Sequence, residues 1–189
     1  MKKKSRFLIY PLMIMGMLLM LANSCKEEEK TVTVPITISD DNFYKQIGYS
    51  LVSCYIDIYN QNLAGHPVGY QNITVNGPMG GTVIITGTDG YSSNNGITTT
   101  DLIFSMTSVK YVTNASGFET EITLTGATTC TGSFSSSYTS ENYQSNNLHI
   151  SGSVTHNDIV RKIDRTGIVS INRLTSSISA TIFGNTVSW

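Results

Sequence analysis

Apolar and polar residues alternate with period two along most of this 189-residue chain. The run TVTVPITI at 31–38 puts Val32, Val34, Ile36 and Ile38 on one face, and Pro35 suits an edge strand. The alternation returns in GTVIITGT, TDLIFSMTSVKYV, ETEITLTGA, LHISGSV, IVRKID, IVSIN, SISATIF and TVSW. Between these runs lie DGYSSNNG, TNASG, SSSYTSENYQSNN, HND, RTG and GN, which read as turns. Gly184-Asn185 reads as a tight hairpin. Residues 122–126 and 148–152 share the order apolar, polar, apolar, hydroxyl, glycine, and 83–87 is a looser copy. Their offsets of 39 and 26 residues are too unequal for a solenoid, so the glycine marks a bend or bulge where a sheet curls. The pattern predicts a mainly β (α+β) fold: a curved antiparallel sheet, or partly closed barrel or sandwich, with one helix packed on it.

That helix is expected at about 40–60. In SDDNFYKQIGYSLVSCYIDIYNQNLAGHP, Phe43, Ile47, Leu51, Cys54 and Ile58 recur at helical spacing. Ser39 or Asp40 offers an N-cap, acidic residues fill the first turn, and Gly65 and Pro67 follow the end. Gly48 and the β-branched residues weigh against it, and LVSCYIDI alone also reads as a strand. The capping residues favour the helix, whose apolar stripe would cover the concave face of the sheet.

The amino terminus departs from this grammar. Lys2, Lys3, Lys4 and Arg6 precede an apolar run from Phe7 to Ala22 that Pro11 and Gly16 interrupt. The run falls short of the roughly 18 to 20 apolar residues of a spanning helix and reads as a secretory signal. It ends in Leu21-Ala22-Asn23-Ser24-Cys25 rather than in an A-x-A-like site. Leucine, two variable positions, a small residue and cysteine resemble the lipobox of bacterial lipoproteins. The resemblance implies cleavage before Cys25 and its acylation, leaving residues 1–24 as signal peptide. Two or three acyl chains (palmitate among them) hold a protein stably on a membrane where one does so only marginally.

Residues 25–30 then form a lipidated, charged tether. Lys26 followed by Glu27, Glu28 and Glu29 resembles the sorting signal of surface-exposed lipoproteins in some Gram-negative bacteria. An outer-membrane, cell-surface location follows from that resemblance; a plain solvated spacer is the alternative. Residues 31–189 make a single mostly-β domain, long enough to bury a core.

Cleavage would also change the charge. Four of 12 basic residues leave with the signal and none of the 13 acidic ones, so 8 face 13 and the net charge is −5. That excludes a nucleic-acid partner on electrostatic grounds, and RKIDR at 161–165 is too short and too mixed to change it.

Candidate chemistry is sparse. The chain carries no G-x-S-x-G, H-E-x-x-H, P-loop or C-x-x-C, and His66, His149 and His156 lack metal-ligand spacing. Asp57 and Asp101 have no acid/base partner in the pattern. No metal or cofactor is expected, and no catalytic residue is assigned. Tyr91, Tyr138 and Tyr143, set among Asn and Ser, are candidate binding loops. Cys54 and Cys130 are an even pair in an oxidising compartment: a disulfide, or two buried thiols acting as small hydrophobes. The sequence thus points to a non-enzymatic envelope lipoprotein binding a protein or a small apolar ligand. A structural or adhesive surface component is the alternative, and a hydrolase ranks last.

Overall fold

The computed structural model describes residues 37–189. The signal region, Cys25, the acidic run and most of the strand expected at 31–38 lie outside them. Of that strand, Thr37 and Ile38 are irregular, and Ile38 is buried.

Helix α1 (Asp40–Asn62) comes first, and its caps explain its ends. The Ser39 hydroxyl accepts from the Asn42 N–H at 3.3 Å, and Asp40 and Asp41 complement the positive end of the helix. The chain leaves the helix through Leu63, whose N–H donates to the Tyr59 carbonyl at 2.8 Å. Phe43, Ile47, Leu51, Cys54 and Ile58 are all buried, so the 3.6-residue period prevails over the β-branched residues.

Eight antiparallel strands follow as a simple meander, each paired to the next: β1 (Gly69–Asn76), β2 (Thr82–Ser92), β3 (Ile97–Ala115), β4 (Phe118–Phe134), β5 (Thr139–His156), β6 (Ile159–Leu174), β7 (Ser177–Ile182) and β8 (Asn185–Ser188). The sheet is curved and not closed, with β1 and β8 as its edges. Helix α1 packs on β3 through β8. The core is the helix stripe against inward residues such as Leu102, Phe104, Leu124, Ile150 and Ile171.

Several strands outrun their expected lengths, and one was not anticipated. β1, GYQNITVN, has a half-buried rather than buried inner face. β2 takes in Asp89–Ser92, and β5 takes in Thr139–Asn147, both expected as turn. RTG is no turn either: Arg165, Thr166 and Gly167 continue β6 and join the two runs expected as separate strands. At the last hairpin, Phe183 and Gly184 take positive φ and Asn185 opens β8.

The sheet curls along a row of irregularities. Register slips between Met106 and Val109, between Thr125 and Thr129, and between Ser145 and Leu148, at one level of three neighbouring strands. Each extra residue turns the strand and re-phases it, so Met106 and Val109 both point inward despite their odd spacing. The recurrent glycine serves the same bend. Gly87, Gly126 and Gly152 all have positive φ, and a Cβ on Gly152 would fall on the Glu121 carbonyl of the neighbouring strand.

Polar contacts set the helix in the trough. Ser50 hydrogen-bonds Thr113, Tyr111 donates to Asp57, and Tyr55 meets Thr128 at 3.1 Å. Arg161 of β6 pairs with Asp40, donates to the Ile38 carbonyl and lies 4.1 Å over the Phe43 ring. The basic spot of RKIDR is thus engaged at the start of the helix. Gly48 lets the carboxyl terminus close in, since a Cβ there would strike the Trp189 indole.

Gly152→Ala should lower stability by about 2–3 kcal/mol, because it adds left-handed strain and a backbone clash. Ser151→Ala beside it should stay within about 0.5 kcal/mol. Urea unfolding of the two variants measures both, and equal small effects would remove the glycine's role in the bend.

Candidate functional site

The inward faces are apolar over most of their length but change character at one end. Where β2, β4, β5 and β6 meet the carboxyl-terminal half of α1, the inward positions are Asp89, Cys130, Glu141, Tyr143 and Arg173. Glu141 and Asp89 are 5% and 3% exposed. A buried charge is costly unless it is paired, so their surroundings decide what they do.

Glu141 is paired: Arg173 Nη1 lies 2.5 Å from its Oε2, on the adjacent strand. The Arg173 side chain is 28% exposed, so the arginine side of the pair is in part open to solvent. Asp89 Oδ1 accepts from the Gly69 N–H at 3.1 Å and from Gln71 Nε2 at 2.9 Å. Among the described residues no Lys, Arg or His pairs with it.

Next to Glu141 and Arg173 the packing leaves a pocket of about 180 Å³. Its walls are aromatic: Tyr55, Tyr59, Phe104, Phe134 and Tyr143. Tyr55 stacks on Tyr143 at 5.0 Å and on Phe104 at 6.1 Å, while Tyr59 and Phe134 meet edge to face at 5.3 Å. Ile56, Asn60 and Cys130 complete the lining. Cavities of roughly 150 Å³ accommodate benzene, so this space suits one small ring or its equivalent.

The pocket holds its thiol and its phenols in their neutral forms. Burial, then Glu141, push the Cys130 thiol up to about 12, against smaller opposing effects of Thr100, Tyr143 and Arg173. Burial, then Asp89, Cys130 and Glu141, push Tyr59 up to about 12. Tyr143 is raised by burial, then by Cys130 and Glu141, against a smaller opposing effect of Arg173. A thiol so raised stays protonated at neutral pH and is a poor nucleophile. Among the described residues no three of His, Cys, Asp and Glu converge as a metal site would require, and no helix is long and apolar enough to cross a membrane.

The expected site residues scatter. Tyr91 is exposed near the end of β2, and Tyr138 is exposed in the β4–β5 turn. Tyr143 corrects the loop expectation: it lies inside β5, buried, because Thr139–Asn147 pairs with both neighbouring strands. There it lines the pocket, which neither Tyr91 nor Tyr138 does.

The disulfide is not formed. Cys54 and Cys130 are both free and buried, the second of the two states open from the sequence. Both face the interior, but the helix presents Tyr55, not Cys54, to this part of β4. The Tyr55 hydroxyl reaches Thr128, two residues before Cys130, and Tyr55 and Cys130 share the pocket. Asp57, unpartnered in the sequence reading, accepts from Tyr111. Glu141, Arg173, Asp89, Tyr59 and Phe134 were not anticipated. A Glu and an Arg 32 residues apart carry no local signal of pairing.

Comparison of the chain with protein-family models, with curated proteins and with solved structures gave no match.

Alkylation at pH 8 followed by peptide mapping should leave Cys54 and Cys130 unmodified in the native protein and modify both in denaturant without reductant. Cys54, like Cys130, is pushed up to about 12, by burial and then by Asp57. Because both folded values lie above the ordinary thiol value of 9.0, the thiols' contribution to stability is full below about 9 and lost as pH rises toward 12. Recovery of a Cys54–Cys130 cross-linked peptide would contradict the free thiols.

Proposed function

We infer that the chain is a non-enzymatic lipoprotein of the bacterial envelope, anchored through Cys25, whose folded domain binds a small ligand in the Glu141–Arg173 pocket. The anchor rests on the lipobox resemblance of residues 21–25. The acidic run after Cys25 supports display on the cell surface.

The observation that carries the binding reading is the charged pair in an aromatic pocket. An apolar pair would close that end of the sheet at no loss of stability, since desolvation of a buried ion pair offsets most of its attraction. Pre-formed concave sites with a few placed polar groups are the usual form of ligand pockets. The raised thiol and tyrosines speak against nucleophilic or acid/base chemistry there at neutral pH. A bulky apolar ligand fits poorly, because Ile47, Leu51 and Ile58 already fill the trough under the helix.

A structural or adhesive role is the second reading, favoured by β1. It is an edge strand of eight residues with no charged side chain and no proline, the type of edge that accepts a partner strand.

Two measurements test this reading. Labelled palmitate should enter the wild type and not Cys25→Ser, which should remain unprocessed; an unlabelled wild type in the soluble fraction would remove the anchor. In chemical-shift mapping with a library of benzene-sized molecules, hits should cluster on Tyr59, Phe134 and Tyr143. Shifts confined to β1 would favour the adhesive reading, and shifts scattered over the surface would refute the pocket.

A further inference from the structure

The pocket has a chemical preference that can be read from its walls and its charges. We propose that it takes a small organic cation about the size of choline, held against the faces of Tyr59, Phe134 and Tyr143 beside the Glu141 carboxyl group. This deepens the binding reading above and rests on it.

Three observations carry the proposal together. The first is the wall: five of the ten lining residues are aromatic, and a ring face attracts a cation through its quadrupole, more strongly where water is excluded. The second is the charge balance. Glu141 and Asp89 are both buried near Tyr59, and Arg173 is the one basic side chain lining the pocket. Arg173 is committed to Glu141, while Asp89 is held by amide donors alone. Two buried carboxyl groups thus face one basic side chain beside the rings. Burial is the first cause of the rise of Tyr59, and Asp89, Cys130 and Glu141 add to it; the share of the two carboxyl groups disfavours a new anion there and favours a cation. The third is size: about 180 Å³ admits a compact head group and excludes a long chain.

An anion would have to approach Arg173 past Glu141 and the electron-rich ring faces. A neutral molecule of the same shape would gain the contact area without the charge. Those two alternatives define the controls.

The full chain, purified in a maltoside detergent, is titrated calorimetrically with choline, with its uncharged isostere 3,3-dimethyl-1-butanol, and with benzoate. Choline should bind at least about tenfold more tightly than the isostere, and benzoate should not bind. Phe134→Leu, which removes one ring from a half-exposed wall, should weaken choline about tenfold while keeping the unfolding temperature close to that of the wild type. Glu141→Gln should weaken it further. Equal binding of choline and the isostere, or preference for benzoate, overturns the cation proposal and leaves the pocket as a binding site. No binding of any of the three, combined with library hits elsewhere on the surface, overturns both.

Discussion

The apolar stripe of α1 lying in the trough of the sheet is the contact on which everything else depends. A helix owes most of its stability to the packing of its apolar face rather than to propensity, and a sheet with one bare apolar face is not stable either. Each solves the other's problem. Fully burying a side chain such as Leu51, Ile47 or Ile58 is worth about 1.5–3 kcal/mol, and the helix contributes several of these along one face. The trough must curve around a cylinder about 10 Å across, which flat strands cannot do. The bulges in β3 and β5, on either side of β4, and the positive-φ glycines provide that curvature. The side-chain contacts Ser50–Thr113, Tyr55–Thr128 and Asp57–Tyr111 then fix how far along the trough the helix sits.

The same arrangement leaves one end unfinished. Along its carboxyl-terminal half α1 turns Tyr55, Ile56, Tyr59 and Asn60 toward the inward positions of this end, in place of a continuous aliphatic stripe. Polar residues occupy them, and the Glu141–Arg173 pair, Asp89 and a ring of aromatics surround a space no side chain fills. Stability arises in the middle of the trough and the candidate site at its end. The half-buried wall residues Tyr59 and Phe134 are therefore the ones separable from the fold, whereas Tyr55, Phe104 and Tyr143 belong to the core as well as to the pocket.

This division also explains what could be read from the sequence. The helix was legible because Phe43, Ile47, Leu51, Cys54 and Ile58 keep strict spacing between a good N-cap and Gly65. The middle of each long strand was legible because its inward residues are aliphatic. Legibility failed at the pocket end. Asp89, Glu141 and Ser145 face inward where the pattern expects apolar residues, so their segments resembled turns. Tyr143 was noticed for its polar neighbours, yet those neighbours are the alternate, outward positions of a strand. Strand β1 was missed because an edge with a half-buried face has a weak period. The glycine motif was legible as a bend, whereas the bulge at Thr107-Ser108 was hidden within TDLIFSMTSVKYV, a run without glycine, proline or asparagine to mark it.

Native-state hydrogen exchange tests the mutual dependence of helix and sheet most directly. If the trough and its helix form one cooperative unit, buried amides of α1 around Leu51 should open with the same free energy as those of β3 to β5. Leu51→Ala should then lower both by the same amount, about 2–5 kcal/mol. Helix amides that exchange well before the strands, or a Leu51→Ala effect confined to α1, would contradict the claim that neither element stands without the other.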